Sequence, residues 1–203
     1  MKEEKKQRSL RRSFNVNDNL YTPSKLVTPL VEYLHRFSDE FEMNNNRLPV
    51  IWCPFDTSDS EFVKVFLDHG YKVVYSHINN GQNFFEYEPD VWDIAISNPP
   101  FSQKLAVFER LFKFGKPFAM LCNEMIINYQ EVANFFIDHE IQLLCFDKKV
   151  SFNGKTSSFA SGYFCSSFLP KDLIFYHLKD NNTGSNFIPA RMFLIEQGGK
   201  VNG

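Results

Sequence analysis

Asp93-Ile94-Ala95-Ile96-Ser97-Asn98-Pro99-Pro100-Phe101 reads as a short apolar strand that runs into an asparagine, two prolines and an aromatic ring. The run Ile94, Ala95, Ile96 suits a strand covered on both faces of a parallel sheet. The prolines end it. Neither has a backbone N–H, and each drives the residue before it out of helical geometry, so Asn98 and Pro99 are held extended with stiffly placed carbonyls. An asparagine oxygen beside such a carbonyl can accept both hydrogens of one NH2 group, and Phe101 offers a flat face to a planar ring. The stretch has the chemistry of a receptor for an aromatic amine. It is also an ordinary loop opening, and its place at the C-terminal end of a strand, where open α/β sheets bind ligands, favours the receptor reading.

Outward from that stretch, strands alternate with helices. On the N-terminal side, Pro49 to Pro54 reads as a first core strand. An amphipathic helix through Phe62, Val63, Val65, Phe66 and Leu67 follows, with Gly70 as its C-terminal cap, and then a strand over residues 71–78. Those 30 residues make one strand–helix–strand unit, for which parallel pairing and a right-handed crossover are the default. Upstream, Leu26, Val27, Leu30, Val31 and Leu34 recur at helical spacing around Pro29, which either sits in the first turn of a helix starting near Thr28 or kinks it. Residues 39–48 read as a polar connection. Downstream come a helix through Leu105, Phe108, Leu111 and Phe112 to Gly115, a strand over 118–122, a helix over 129–139 and a strand over 141–146. A polar loop over 148–161 leads to two strands, 163–169 and 173–178, spaced like a hairpin. The expected fold is α/β: a mostly parallel seven-stranded sheet between helices, with a C-terminal antiparallel hairpin.

The chain of 203 residues fits one domain with a substantial core, and its 23 phenylalanines predict a core rich in rings. No run approaches the roughly 20 apolar residues of a membrane span, and no signal-like apolar stretch follows the charged start, so the expected location is cytoplasmic. Cys53, Cys122, Cys145 and Cys165 are far apart without a Cys-x-x-Cys pair, which predicts free thiols and no metal site. Net charge is −2, but residues 1–12 alone carry +4, leaving −6 for the rest. Residues 1–18 read as a flexible basic arm able to touch phosphates or to stay solvated, residues 19–180 as the folded domain, and 181–203 as a polar tail.

In this order the chain resembles the class I S-adenosylmethionine-dependent methyltransferases, and among them the amino-methyltransferases of adenine, with small phage- or prophage-type DNA adenine methylases nearest. Asn98-Pro99-Pro100-Phe101 is similar to the family's Asp/Asn/Ser-Pro-Pro-Tyr/Phe motif, and Tyr21-Thr22-Pro23 to the segment that lies against the cofactor ahead of the first helix. The resemblance spans roughly residues 19–178. It implies a Rossmann-like sandwich, S-adenosylmethionine as cofactor and DNA as partner. It implies further that Asn98 and the Pro99 carbonyl hold the target amine, with Pro100 stiffening the turn and Phe101 stacking on the flipped base.

On the cofactor side the resemblance implies binding by Tyr21, Thr22, Pro23, Cys53, Pro54, Phe55, Asp56, His77, Asn83 and Phe84. Here the chain departs from the pattern. Asp56-Thr57-Ser58-Asp59 stands where glycines are expected after Pro54-Phe55. Ser76-His77 replaces the acidic residue after the second strand, and Asn83-Phe84 stands for an Asp-Phe pair. Asp56 could hold the cofactor's ammonium group or serve only as a turn residue. Lys148, Lys149 and Lys155 are the candidate phosphate contacts, because no separate recognition region is evident. An RNA adenine methyltransferase and a degenerate binding module of the same fold are the alternatives.

Overall fold

The structure is a computed structural model that describes residues 22–152 and 160–179. Both the basic arm and the polar tail lie outside the described residues, as do Tyr21 and Lys155. The elements run α1 (Ser24–Asn45), β1 (Val50–Cys53), α2 (Glu61–Asp68), β2 (Lys72–Tyr75), β3 (Ile94–Ser97), α3 (Lys104–Phe114), β4 (Phe118–Asn123), α4 (Gln130–Ile137), β5 (Gln142–Phe146), β6 (Ser161–Ser166) and β7 (Leu173–Tyr176). All seven strands join one sheet in the order β2-β1-β3-β4-β6-β5-β7. This is the expected Rossmann-like α/β sandwich. Every pairing is parallel except those of β6, which runs antiparallel between β4 and β5.

The terminal hairpin needs correcting. β6 and β7 do run in opposite directions, but β5 lies between them and β7 pairs with β5, Leu143 opposite Leu173. The connection over 167–172 steps across β5 instead of folding back on its own strand. Gln142 fastens it: its side-chain oxygen accepts from the Phe168 and Leu169 N–H groups and its amide donates to the Leu169 carbonyl.

The strand period of two sorts the core into two layers. Ile51, Cys53, Ile94, Ile96, Ala119, Leu121, Tyr163 and Cys165 face α1 and α2, meeting Leu26, Leu30, Leu34, Phe62 and Phe66. Trp52, Ala95, Phe118, Met120 and Phe164 face the other way, toward Phe108 and Leu111 of α3. Each fully buried aliphatic or aromatic side chain contributes about 1.5–3 kcal/mol. On the second face Trp52 lies against Trp92, Phe84 and Phe114, with centroids at 5.0, 5.5 and 5.9 Å. Its indole N–H donates to Ser76 Oγ at 2.9 Å, so the buried polar atom is satisfied.

The first helix is longer than its apolar pattern suggests. It begins at Ser24, carries Pro29 in its interior, and continues through the expected polar connection to Asn45. Aromatic contacts explain the extension: Phe37 packs on Phe41 and Phe168, and the Arg47 guanidinium covers Phe41. Asn44 and Asn45 bond back to carbonyls four residues earlier, and Asn46 closes the helix in left-handed geometry with φ 54°. Gly70 ends α2 as expected. At φ 81° its N–H bonds the Leu67 carbonyl while Tyr71 N–H bonds Phe66, a Schellman closure.

No helix among the described residues is long and apolar enough to cross a membrane. The four cysteines are free, three of them buried and Cys145 half-buried.

Candidate active site

The sheet order fixes where a site can form. The chain passes from β1 outward to β2, then crosses over to β3 on the other side of β1. The topological switch point therefore lies at the C-terminal ends of β1 and β3, the crevice where open α/β sheets take ligands. Asp56 follows β1 there and Asn98 follows β3.

Asn98 is half-buried just beyond the last strand residue. Its Nδ2 donates to Thr22 Oγ1 at 3.1 Å, while its Oδ1 accepts no hydrogen bond from any described residue. Pro99 and Pro100 are buried, and Pro100 is extended at φ −59°, ψ 141°. A short 3-10 turn over Phe101–Gln103 then leads into α3. The ring of Phe101 lies outside what the structure describes. Thr22 is only 7% exposed, delivered to Asn98 by the packing of α1 against the sheet. Pro23 is the N-cap residue of α1, and its carbonyl accepts from Leu26 N–H. Deeper in, the Tyr163 hydroxyl donates to the Leu26 carbonyl at 2.9 Å, joining β6 to the first turn of that helix.

Asp56 lies beside Asn98's neighbour in the chain. Ser97 Oγ donates to its carboxylate at 2.5 Å. Burial pushes the Asp56 carboxyl up to about 6, against hydrogen bonds from Ser97 and Ser60 that pull it down. The Asp56 N–H bonds the Ser76 carbonyl, and Ser76 N–H bonds Cys53, so the ends of β1 and β2 are laced together under the carboxylate. Ser60 serves twice, since its Oγ also accepts from Val63 N–H and caps α2.

The segment that stands in place of glycines keeps its shape by side-chain bonds. Thr57 Oγ1 donates to the Asp59 carboxylate, and Ser60 N–H reaches the Thr57 carbonyl at 3.1 Å. None of residues 56–59 has a positive φ, so the backbone there does not demand glycine.

The remaining cofactor-side residues divide. Cys53 is fully buried and burial drives its thiol well above the ordinary range, so it stays neutral. Pro54 is buried beside it. His77 accepts from Asn79 N–H through Nδ1, which leaves the hydrogen of the neutral ring on Nε2, and burial lowers its pKa. Asn83 Oδ1 is taken by Phe85 N–H at 3.2 Å. Phe84 is 2% exposed, its ring spent on Phe55 at 4.8 Å and Trp52 at 5.5 Å beneath the Arg110 guanidinium. Phe55 is the half-buried member of that pair. Lys148 and Lys149 follow β5 on the same edge of the sheet, next to Asp147.

The structure thus brings Thr22, Asp56 and Asn98 together, laces Ser76 of the expected cofactor side under Asp56, and adds Ser97, Ser60 and Tyr163, which the sequence reading did not single out. Only Ser97 carried a signal, as the one hydroxyl closing an otherwise apolar strand.

No protein-family model matches the chain, and no curated protein matches it. Among solved structures, the chain is similar to a candidate class I S-adenosylmethionine-dependent methyltransferase from Listeria monocytogenes. The identity is 13% and the TM-score 0.46, over 92% of this chain and 73% of that one.

Proposed function

We propose that this protein transfers a methyl group from S-adenosylmethionine to an aromatic amine, and that the amine is N6 of adenine in DNA. The observation that carries the reading is Asn98: it sits at the switch point, its amide is anchored through nitrogen, and its oxygen is left to accept from a ligand.

The donor set beside it suits the cofactor. A buried carboxylate at Asp56 matches an ammonium group, the Thr22 hydroxyl can donate to a carboxylate, and His77 Nε2–H can donate to a ribose oxygen. The side chains that would hold the cofactor are therefore Thr22, Asp56 and His77, with Phe55 offering the half-buried ring. When bound, S-adenosylmethionine supplies an electrophilic methyl: the amine lone pair forms the N–C bond, the C–S pair stays on sulfur, and one amine proton leaves to water.

Asn98 Oδ1 and the Pro99 carbonyl accept the two amine hydrogens. An aromatic amine is a weak nucleophile because its lone pair is delocalised into the ring. Two fixed acceptors draw the nitrogen toward pyramidal geometry, aim its lone pair and stabilise the positive charge that develops on it. No strong base is needed, since the nitrogen becomes acidic once methylated. The adenine must leave its stack to reach the crevice, at a cost of a few kcal/mol that stacking on Phe101 partly offsets. Lys148, Lys149 and Lys155 contact phosphates.

The test is tritiated methyl incorporation into duplex DNA, single-stranded DNA and total RNA. The reading expects label in DNA, on N6 of adenine. Label in RNA alone would move the substrate to RNA; cofactor binding without transfer to any nucleic acid would leave a binding module.

A further inference from the structure

An amide is a two-faced group, one end donating and the other accepting, and an amine receptor works only if the accepting end points at the amine. Rotating the Asn98 amide by half a turn would put an NH2 against the substrate's NH2, two sets of donors facing each other. The polarity of this side chain is therefore worth as much as its position. Its one bond to another described residue is the donation from Nδ2 to Thr22 Oγ1, at 3.1 Å. Thr22 is 7% exposed and comes 76 residues earlier in the chain, held in place by α1 on the sheet.

We propose that Thr22 is the residue that sets the polarity of the Asn98 amide, and that occupation of the methyl-donor site completes the setting. This rests on the amine-methylation reading given above. A hydroxyl can donate as well as accept, so Thr22 leaves the amide free to turn until some acceptor takes the hydroxyl hydrogen. Among the described residues nothing accepts it. The carboxylate of the methyl donor, which the Thr22 hydroxyl would hold in the reading above, is an acceptor of the right class. Once it takes that hydrogen, Thr22 Oγ1 has only lone pairs to offer, Asn98 must present Nδ2 to it, and Oδ1 is turned to the amine. Donor binding and arming of the receptor become one event. Thr22 is in this account a positioning residue: it acts on the amine through Asn98.

The experiment is a double-mutant cycle read at saturating methyl donor in single turnover. Thr22→Val keeps the shape and removes the hydroxyl; Asn98→Asp makes both side-chain atoms acceptors, so that polarity no longer matters. Thr22→Val is expected to slow transfer roughly 10- to 100-fold in the Asn98 protein and only a few-fold in the Asn98→Asp background. Thr22→Ser should restore the wild-type rate. Equal losses in both backgrounds, or no loss in either, would overturn the proposal, because a merely structural threonine would affect the two alike.

A second readout does not need turnover. In 15N-resolved NMR the Asn98 side-chain amide, assigned by its disappearance in Asn98→Asp, should show one hydrogen-bonded proton whose exchange slows when S-adenosylhomocysteine is added. In Thr22→Val that response should be lost. An amide signal indifferent to Thr22→Val would overturn the proposal whatever the activity. If the wild-type protein transfers no methyl group at all, the function reading fails separately, and the NMR result still decides the role of Thr22.

Discussion

Replacing Asp56 with asparagine should make the protein more stable and its donor site weaker at the same time. The carboxyl ionises near its ordinary 3.8 when the chain is unfolded but only at about 6 when buried beside Ser97. The folded state therefore holds its proton more tightly than the unfolded one. The stability this provides is full below pH 3.8 and is lost as pH rises through about 6. A difference of about two pH units corresponds to about 3 kcal/mol, absent at pH 7.5 and present at pH 3.5. The asparagine of the Asp56→Asn variant mimics the protonated acid: it keeps an oxygen for Ser97 to donate to and never ionises. Urea unfolding of wild type and Asp56→Asn across pH 4 to 8 should give curves that converge at the acid end. They should diverge through pH 6 and then run parallel, the variant ahead by up to about 3 kcal/mol. Calorimetry at pH 7.5 should meanwhile show the variant binding S-adenosylhomocysteine more weakly, since the counter-charge for the ammonium group is gone. A stability difference that does not change with pH would refute the argument from burial. Unchanged ligand affinity would refute the assignment of Asp56 to the donor site.

Three further outcomes follow from particular contacts. Asn98→Ala should lower the methyl-transfer rate roughly 100- to 1000-fold, as loss of a preorganised group facing a developing charge does, while the urea midpoint stays in place. Gly162→Ala should destabilise by about 1–3 kcal/mol, because its Cβ would stand 2.8 Å from the Leu144 carbonyl and 3.0 Å from Glu124 Oε1, forcing β5 and β6 apart. Tyr163→Phe should cost about 1 kcal/mol in urea unfolding, since it removes the hydroxyl that donates to the Leu26 carbonyl.

The central strands β1, β3 and β4 were legible because each is a short apolar run closed by a turn residue, and burial on both faces of a parallel sheet leaves such runs unbroken in the sequence. Ile94 to Ser97 and Phe118 to Cys122 are of this kind. What the sequence hid was set by contacts between distant residues. The last two turns of α1 look like linker because six of residues 39–46 are acidic or asparagine, yet Phe37 and Phe41 find Phe168 and Arg47, more than a hundred residues away in one case. The spacing of 163–178 looks like a hairpin, but β5 takes the place between the two strands. In the site, the stiff Asn98-Pro99-Pro100 turn at the end of β3 and the acidic residue Asp56 after β1 were readable. The bonds that orient them were not: Thr22 to Asn98 and Ser97 to Asp56 join segments 76 and 41 residues apart, and no local pattern records such a pairing. The turn after β1 lacks the glycines of the resembled pattern, and Thr57, Asp59 and Ser60 hold it with hydrogen bonds and no left-handed residue.

The central claim is that Asn98 presents an amine to a methyl donor at the switch point of the sheet. Digestion of DNA treated with the purified protein and S-adenosylmethionine, followed by mass spectrometry of the nucleosides, tests it most directly. The account predicts N6-methyladenine with wild type and none with Asn98→Ala; methylation confined to a ring nitrogen or to carbon, or undiminished in Asn98→Ala, would contradict it.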